Sequence, residues 1–81
     1  VDIVPEGHFL LIAHMDKPGM IGKVGTILGD NDVNVASMEV ARARARGPAM
    51  MILEIDDDLP IEVLRKVRQI KDLTSAIAIK L

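Results

Sequence analysis

The sequence predicts an α+β domain with one antiparallel sheet and a layer of two helices. Four short segments are apolar and rich in Ile, Val, Leu and Met, which is typical of strands. Two further segments carry apolar residues at the helical period. Their order along the chain is βαββαβ, the ferredoxin-like plan. Because crossover connections are right-handed, we expect a sandwich with both helices on one face of a four-stranded antiparallel sheet.

Each element is predicted from apolar periodicity and from the turn-forming residues around it. The first strand, residues 8–15, is apolar on both alternating faces, as expected of a strand that is buried on both sides. Pro18 suits the first turn of the helix that follows, because proline lacks an N–H that would have no partner there. The other predicted elements are a helix at 18–31, strands at 33–44 and 49–56, a helix introduced by residues 56–60 that buries Ile61, Leu64, Val67 and Ile70, and a strand at 74–81.

Composition limits what the domain can do. The length of 81 residues suits one domain, predicted at residues 8–81, and residues 1–7 are interpreted as a linker, so we expect a piece of a longer, cytoplasmic protein. The chain has no cysteine, which excludes a disulfide framework and thiolate chemistry. A net charge of −2 and a single aromatic residue give no basis for nucleic-acid binding. No apolar run reaches the ~18 residues of a membrane span, so no membrane partner is expected.

The strand-to-helix corner, residues 16–19, is the first candidate site. Asp16 is predicted to cap the helix by accepting a hydrogen bond from a first-turn N–H group. Gly19 has no side chain, so a ligand can approach the backbone closely. The free N–H groups and positive dipole end of the helix favour a carboxylate at this position. The alternative is that these residues only shape a tight turn.

Two polar side chains are predicted to join the corner. His14 ends the first strand and Asn34 begins the second, so we expect them at the ends of neighbouring elements, beside the helix N-terminus. A cation partner, amide dipoles and backbone N–H donors together suit a free amino acid. Taken singly, His14 is an ordinary strand-end histidine and Asn34 an ordinary turn residue. Gly22 and Gly25, inside the helix, are predicted to allow close approach to the sheet or to a neighbour.

The other charged groups have simpler interpretations. Arg42, Arg44 and Arg46 are predicted to form a solvated hairpin end that resists edge-to-edge pairing, with an anion contact as the alternative. Residues 56–58, three aspartates, are predicted to form a turn and a helix cap and not a metal site. No nucleophile and base are found at a recognisable spacing, so the isolated domain is not expected to be an enzyme.

One face of the predicted sheet has no helix to cover it. An apolar area of this size on a monomer indicates a partner, either a second copy or the rest of a longer chain. By period-two counting, the residues on this face are Leu10, Ile12, Met38, Val40, Met50 and Ile52.

The sequence also resembles a known family. The pattern His-x-Asp-Lys-Pro-Gly-x-Ile-Gly-Lys-Val-Gly-Thr-x-Leu-Gly at 14–29, followed by Val-Asn-Val-Ala-Ser-Met at 33–38 and Ala-Met-Met at 49–51, resembles the ACT domain family. Within that family it resembles the C-terminal ACT domains of D-3-phosphoglycerate dehydrogenases, and residues 1–8 resemble the segment that joins that domain to the enzyme body. The run from Ile21 to Gly29, together with the segment around Asn34, is the most specific part.

The resemblance implies both a fold and a function. Family members have the βαββαβ fold, pair side by side, and bind a small effector, usually an amino acid, at the interface. In these NAD-dependent enzymes the effector is L-serine, the pathway end product, and this domain itself holds no cofactor. The alternatives are the ACT domain of an L-serine dehydratase and a ligand-free dimerisation module.

The resemblance also implies particular site residues. His14, Asp16 and Asn34 match the serine-binding positions, with Asn34 supplied by the facing subunit of at least a dimer. Asp16 departs from the pattern, because Asn stands there in the best-known serine-inhibited members. The remaining expected effector-site positions are those of the corner and the first helical turn, Pro18, Gly19, Met20 and Ile21.

Overall fold

The elements of the computed structural model, which describes residues 7–81, confirm the predicted βαββαβ order. The predicted linker therefore lies outside the described residues except for Gly7. No helix in the described part of the chain is long and apolar enough to cross a membrane. The elements are β1 (His8–Met15), α1 (Met20–Asp30), β2 (Val35–Arg42), β3 (Pro48–Ile55), α2 (Ile61–Arg68) and β4 (Leu73–Lys80).

The four strands form one antiparallel sheet in the order β2-β3-β1-β4. The central position of β1 agrees with its apolar character on both faces. Its end, at Met15, lies opposite Pro48 of β3, and its start, at His8, lies opposite Ile55. Gly7 extends the pairing of β1 with β4 through two backbone hydrogen bonds with Leu81, of 3.0 and 2.9 Å.

Both helices pack on the same face of the sheet, as predicted. One buried cluster contains side chains from α1, from α2 and from alternate positions of β1 and β3. Burial of these side chains is the main favourable term that holds the sandwich together, at roughly 1.5–3 kcal/mol for each large aliphatic group. The cluster consists of Leu10, Ile12, Val24, Leu28, Met51, Leu53, Ile55, Val63, Leu64, Val67 and Ala76.

The uncovered face of the sheet is apolar, but four of its six predicted members were wrong. Leu10 and Ile12 lie opposite Leu53 and Met51, which face the helices, and the same two β3 residues lie opposite Met38 and Val40. Period-two counting cannot choose between two faces when a strand is apolar on both, as β1 is. The apolar residues of this surface, called the open face below, are Phe9, Leu11, Ala13, Met50, Ile52, Ile77 and Ile79.

The start of each helix also differs from its prediction. The N-cap of α1 is Gly19, with φ 87°, and no side chain caps the helix, so the predicted capping role of Asp16 was wrong. The N-cap of α2 is Pro60, again without a side-chain cap, so the aspartates at 56–58 do not cap it. Because α2 begins only at Ile61, its buried stripe starts at Val63, and Ile61 is 51% exposed.

Candidate functional site

The corner lies between two other turns that hold its backbone. The N–H of Met15 donates to the carbonyl of Asp72 at 2.9 Å, and the N–H of Asp16 donates to the carbonyl of Gly47 at 2.8 Å. Lys17 adds an ion pair with Asp72, with 3.3 Å between Nζ and Oδ1. The turn between α2 and β4 and the turn between β2 and β3 therefore fix the path of the chain into α1.

Asp16 is bound by the β2–β3 hairpin. Its Oδ2 atom accepts a hydrogen bond from the backbone N–H of Arg46 at 3.0 Å and another from Nη1 of Arg42. The backbone bond from Arg46, followed by the bond from Arg42, lowers the pKa of Asp16 below its ordinary value of 3.8. Asp16 is therefore a carboxylate with a fixed orientation.

The lowered pKa predicts a pH-dependent contribution of Asp16 to stability. A carboxyl whose pKa is lowered by folding stabilises the protein above its unfolded pKa, and this stabilisation is lost as the pH falls through the folded value. We expect the difference in unfolding free energy between the parent and Asp16→Asn to be largest near neutral pH and to shrink below pH 3.8. Urea unfolding over an acidic pH series measures it, with Asp57→Asn, at the opposite end of the sheet, as the control. A difference that stays constant down to the lowest pH would contradict the assignment.

His14 is buried and only partly satisfied. Its side chain is 3% exposed, and Nδ1 lies 2.9 Å from the carbonyl oxygen of Met15, to which it donates. Its Nε2 atom is buried and has no hydrogen-bond partner among residues 7–81. Buried polar atoms in folded proteins nearly always have a partner, from the protein, water or a ligand. His14 therefore offers a nitrogen acceptor directly before the corner.

The first turn of α1 supplies free N–H donors. The N–H of Met20 donates to Lys17 at 3.3 Å and that of Lys23 to Gly19 at 2.9 Å, whereas the N–H groups of Ile21 and Gly22 have no acceptor within the described chain. Both residues are exposed, as are Pro18 and Gly19, whereas Met20 is buried. The exposed N–H groups at the positive end of the dipole suit an anionic group.

Asn34 does not join the other predicted site residues within one chain. It precedes Val35, which lies opposite Ile55, and Ile55 lies opposite His8 at the start of β1. Asp16 follows the other end of β1, so the two side chains are separated by about 25 Å along the strand direction. There, Nδ2 of Asn34 donates to Oδ2 of Asp56 at 2.8 Å. The expectation that His14 and Asn34 lie side by side is thus wrong for a single copy.

The described residues also bear on the predictions for Arg42 and for the glycines of α1. Arg42 does not simply face solvent, because it is bonded to Asp16. Gly22 and Gly25 make no close approach to the sheet, since a Cβ atom added at either would meet nothing within 4 Å in the same copy, and their approach to a neighbouring copy stays a prediction. In residues 7–81, no three acidic or histidine side chains form a group that could hold a metal ion.

Comparison with known proteins identifies the family. The family model of the ACT domain matches residues 8–72. The chain belongs to the ACT domain family. It is 41% identical, over 93% of its length, to D-3-phosphoglycerate dehydrogenase of Bacillus subtilis, and 40% identical, over its whole length, to the enzyme of Methanocaldococcus jannaschii. The chain spans only 14% and 16% of those two relatives.

Solved structures agree with this ACT assignment at the level of the fold. The ACT domain from GTP pyrophosphokinase of Chlorobium tepidum matches 91% of this chain with a TM-score of 0.71 at 15% identity, and 99% of that domain is covered. The regulatory subunit of aspartate kinase from Thermus thermophilus matches 94% of this chain with a TM-score of 0.63 at 19% identity, and 52% of that subunit is covered. At these identities the ACT fold alone is shared.

Proposed function

We propose that this ACT domain is the regulatory domain of a D-3-phosphoglycerate dehydrogenase, and that it binds L-serine between two copies to give feedback control of serine biosynthesis. The observation that carries the proposal is the grouping at the corner of a fixed carboxylate, two free N–H groups and a buried, unpartnered ring nitrogen. The relatives at about 40% identity favour a dehydrogenase over the L-serine dehydratase that the sequence left open. In the parent enzyme, NAD belongs to the catalytic body.

The corner offers a complementary group for each part of an amino acid. The N–H groups of Ile21 and Gly22 suit the α-carboxylate. The carboxylate of Asp16 suits the α-ammonium group through a charge-assisted hydrogen bond. With Nδ1 of His14 donating to Met15, Nε2 remains as an acceptor for a ligand N–H or O–H group.

A two-fold pair brings Asn34 of one copy to the corner of the other. β2 is an edge strand, and most of its side chains are exposed. When two copies meet side by side along β2 about a two-fold axis, their β2 strands run antiparallel, so the start of one strand lies beside the end of the other. Asn34 precedes the start of β2, and Arg42, bonded to Asp16, ends it. This arrangement supports a site that combines the corner end of the sheet from one copy with the Asn34 end of the sheet from the other.

A shared site accounts for regulation in physical terms. A ligand that contacts two copies stabilises their association by mass action. If serine binds one state of the parent enzyme more tightly than another, this tightening shifts the population of the two states. The direction and size of the shift depend on that difference in affinity.

Calorimetric titration of the chain with L-serine tests the proposed effector. We expect saturable binding, with glycine and L-alanine binding more weakly because both lack the hydroxyl group that Asn34 or His14 can bond. Absence of serine binding at millimolar concentration would contradict the assignment. The ligand-free dimerisation module would then be the better interpretation.

A further inference from the structure

We propose that Arg42 is a specificity-determining residue of the effector site, which donates to the α-carboxylate of the ligand while Asp16 binds its α-ammonium group. The two side chains together then select a zwitterionic amino acid. This inference rests on the proposed function and concerns the same site. It explains how the corner can accept a carboxylate although Asp16 carries a negative charge beside it.

The ion pair between Asp16 and Arg42 leaves part of each of these two side chains free to bind a ligand. Both of its bonds, from Arg42 and from the backbone of Arg46, end on Oδ2. Within residues 7–81, Oδ1 has no hydrogen-bond partner, so it can accept from an ammonium group. A guanidinium has five N–H donors, of which this ion pair uses one. The Arg42 side chain is 52% exposed, so its other donors can reach a ligand.

A cleft beside the ion pair provides room for a small molecule. Its volume is about 290 Å³, and it lies between the corner and the β2–β3 hairpin. Lys17, at one side, is already paired with Asp72, and Arg46 contributes its backbone N–H to Asp16. The residues that line the cleft are Asp16, Lys17, Pro18, Arg42, Ala45 and Arg46.

The charges of the pair are complementary to those of an amino acid. Asp16 alone would repel the α-carboxylate of a ligand held by the first turn of α1. Arg42 neutralises that charge and adds donors for the carboxylate on the side of the cleft. A ligand with only an amine or only a carboxylate leaves one half of the pair without its partner. The pair of Asp16 and Arg42 therefore selects ligands that carry both charged groups. The rest of the site selects among amino acids by the side chain of the ligand.

Three ligands separate this role from that of a purely structural ion pair. L-serine has both charged groups, ethanolamine is serine without its carboxylate, and 3-hydroxypropionate is serine without its ammonium group. In the parent chain we expect both analogues to bind at least about tenfold more weakly than serine. Arg42→Met should weaken serine binding by about ten- to a hundredfold and change ethanolamine binding by less than about threefold. Arg42→Lys, which keeps the charge, should recover part of the loss.

Arg44→Met is the matched control, because Arg44 lies in the same hairpin and makes no hydrogen bond to Asp16 in the described structure. It should bind serine as the parent does, and thermal unfolding should show that both variants fold. Equal serine affinity of Arg42→Met and the parent would overturn this inference and leave the proposed function intact. Equal losses for serine and ethanolamine would also overturn it, since they indicate a structural role.

If the parent binds neither serine, glycine nor either analogue, the proposed function fails as well. If the parent binds glycine but not serine, and Arg42→Met loses the glycine binding, selection by charge is supported. Only the assignment of serine as the effector is then refuted.

Discussion

Asn34→Ala is expected to weaken binding of L-serine by about ten- to a hundredfold, which corresponds to roughly 1–3 kcal/mol. The amide of Asn34 both donates and accepts, so its loss leaves a polar group of the ligand unpaired at the interface. The residue is exposed and lies outside the core, so the variant should fold with nearly the stability of the parent. Calorimetric titration of parent and variant, at equal protein concentration, measures the change.

Two control variants isolate the effect of Asn34. Asp56→Ala removes the 2.8 Å hydrogen bond between Asp56 and Asn34 but leaves the amide in place, so serine should still bind. Lys23→Ala changes an exposed residue further along α1 and should cost little. If Asn34→Ala binds serine as tightly as the parent, the two-copy site is wrong. If Asp56→Ala loses as much affinity as Asn34→Ala, the loop conformation is responsible and not the amide.

Ile52→Lys is expected to reduce association through the open face. Ile52 lies opposite Leu11, which itself lies opposite Ile77 on β4, so the substitution places a cation within a continuous apolar row. Ile52 is 38% exposed in the single chain, which lets a lysine reach water in the monomer but not in a covered interface. Sedimentation equilibrium at micromolar concentration should give a lower mean mass than for the parent. Serine affinity should stay within about threefold, because the open face is not part of the proposed site.

Ile61→Lys is the matched control for this experiment. It makes the same substitution at an exposed position of α2, outside the open face, and should leave the mass unchanged. An unchanged mass for Ile52→Lys would show that the open face adds no contact to the pair that forms along β2. Loss of serine binding together with association would place the effector site on the open face.

The order of the elements could be predicted from the sequence because its signals are local. Alternation within β3, the helical stripe of α2, and the Gly, Pro and Asp residues between elements depend only on neighbouring positions. The face of each strand could not be predicted for β1, because Leu10 and Leu11 are equally apolar. That choice depends on register with β3, which sets Leu10 opposite the buried Leu53 and Leu11 opposite the exposed Ile52.

The site was predictable to the extent that it is contiguous in sequence. Residues from His14 to Ile21 follow one another through the corner, so their proximity was assured by the chain itself. Asn34 was misplaced within the single copy, because α1 returns the chain to the opposite end of the sheet. The contact of Arg42 with Asp16 spans 26 positions and was missed. The predicted topology did contain a signal for this contact. Because β3 is an antiparallel neighbour of β1, the turn that joins β2 to β3 must lie beside the end of β1, where the corner begins.

The central claim is that one amino acid contacts the corner of one copy and Asn34 of another, and amide NMR shifts during a serine titration test it most directly. The two regions are about 25 Å apart in a single chain, so no single small ligand reaches both within one copy. We expect shifts at residues 14–22 and 33–36 that share one midpoint, with little change in α2. Shifts confined to one end of the sheet, or two different midpoints, would contradict a site shared between copies.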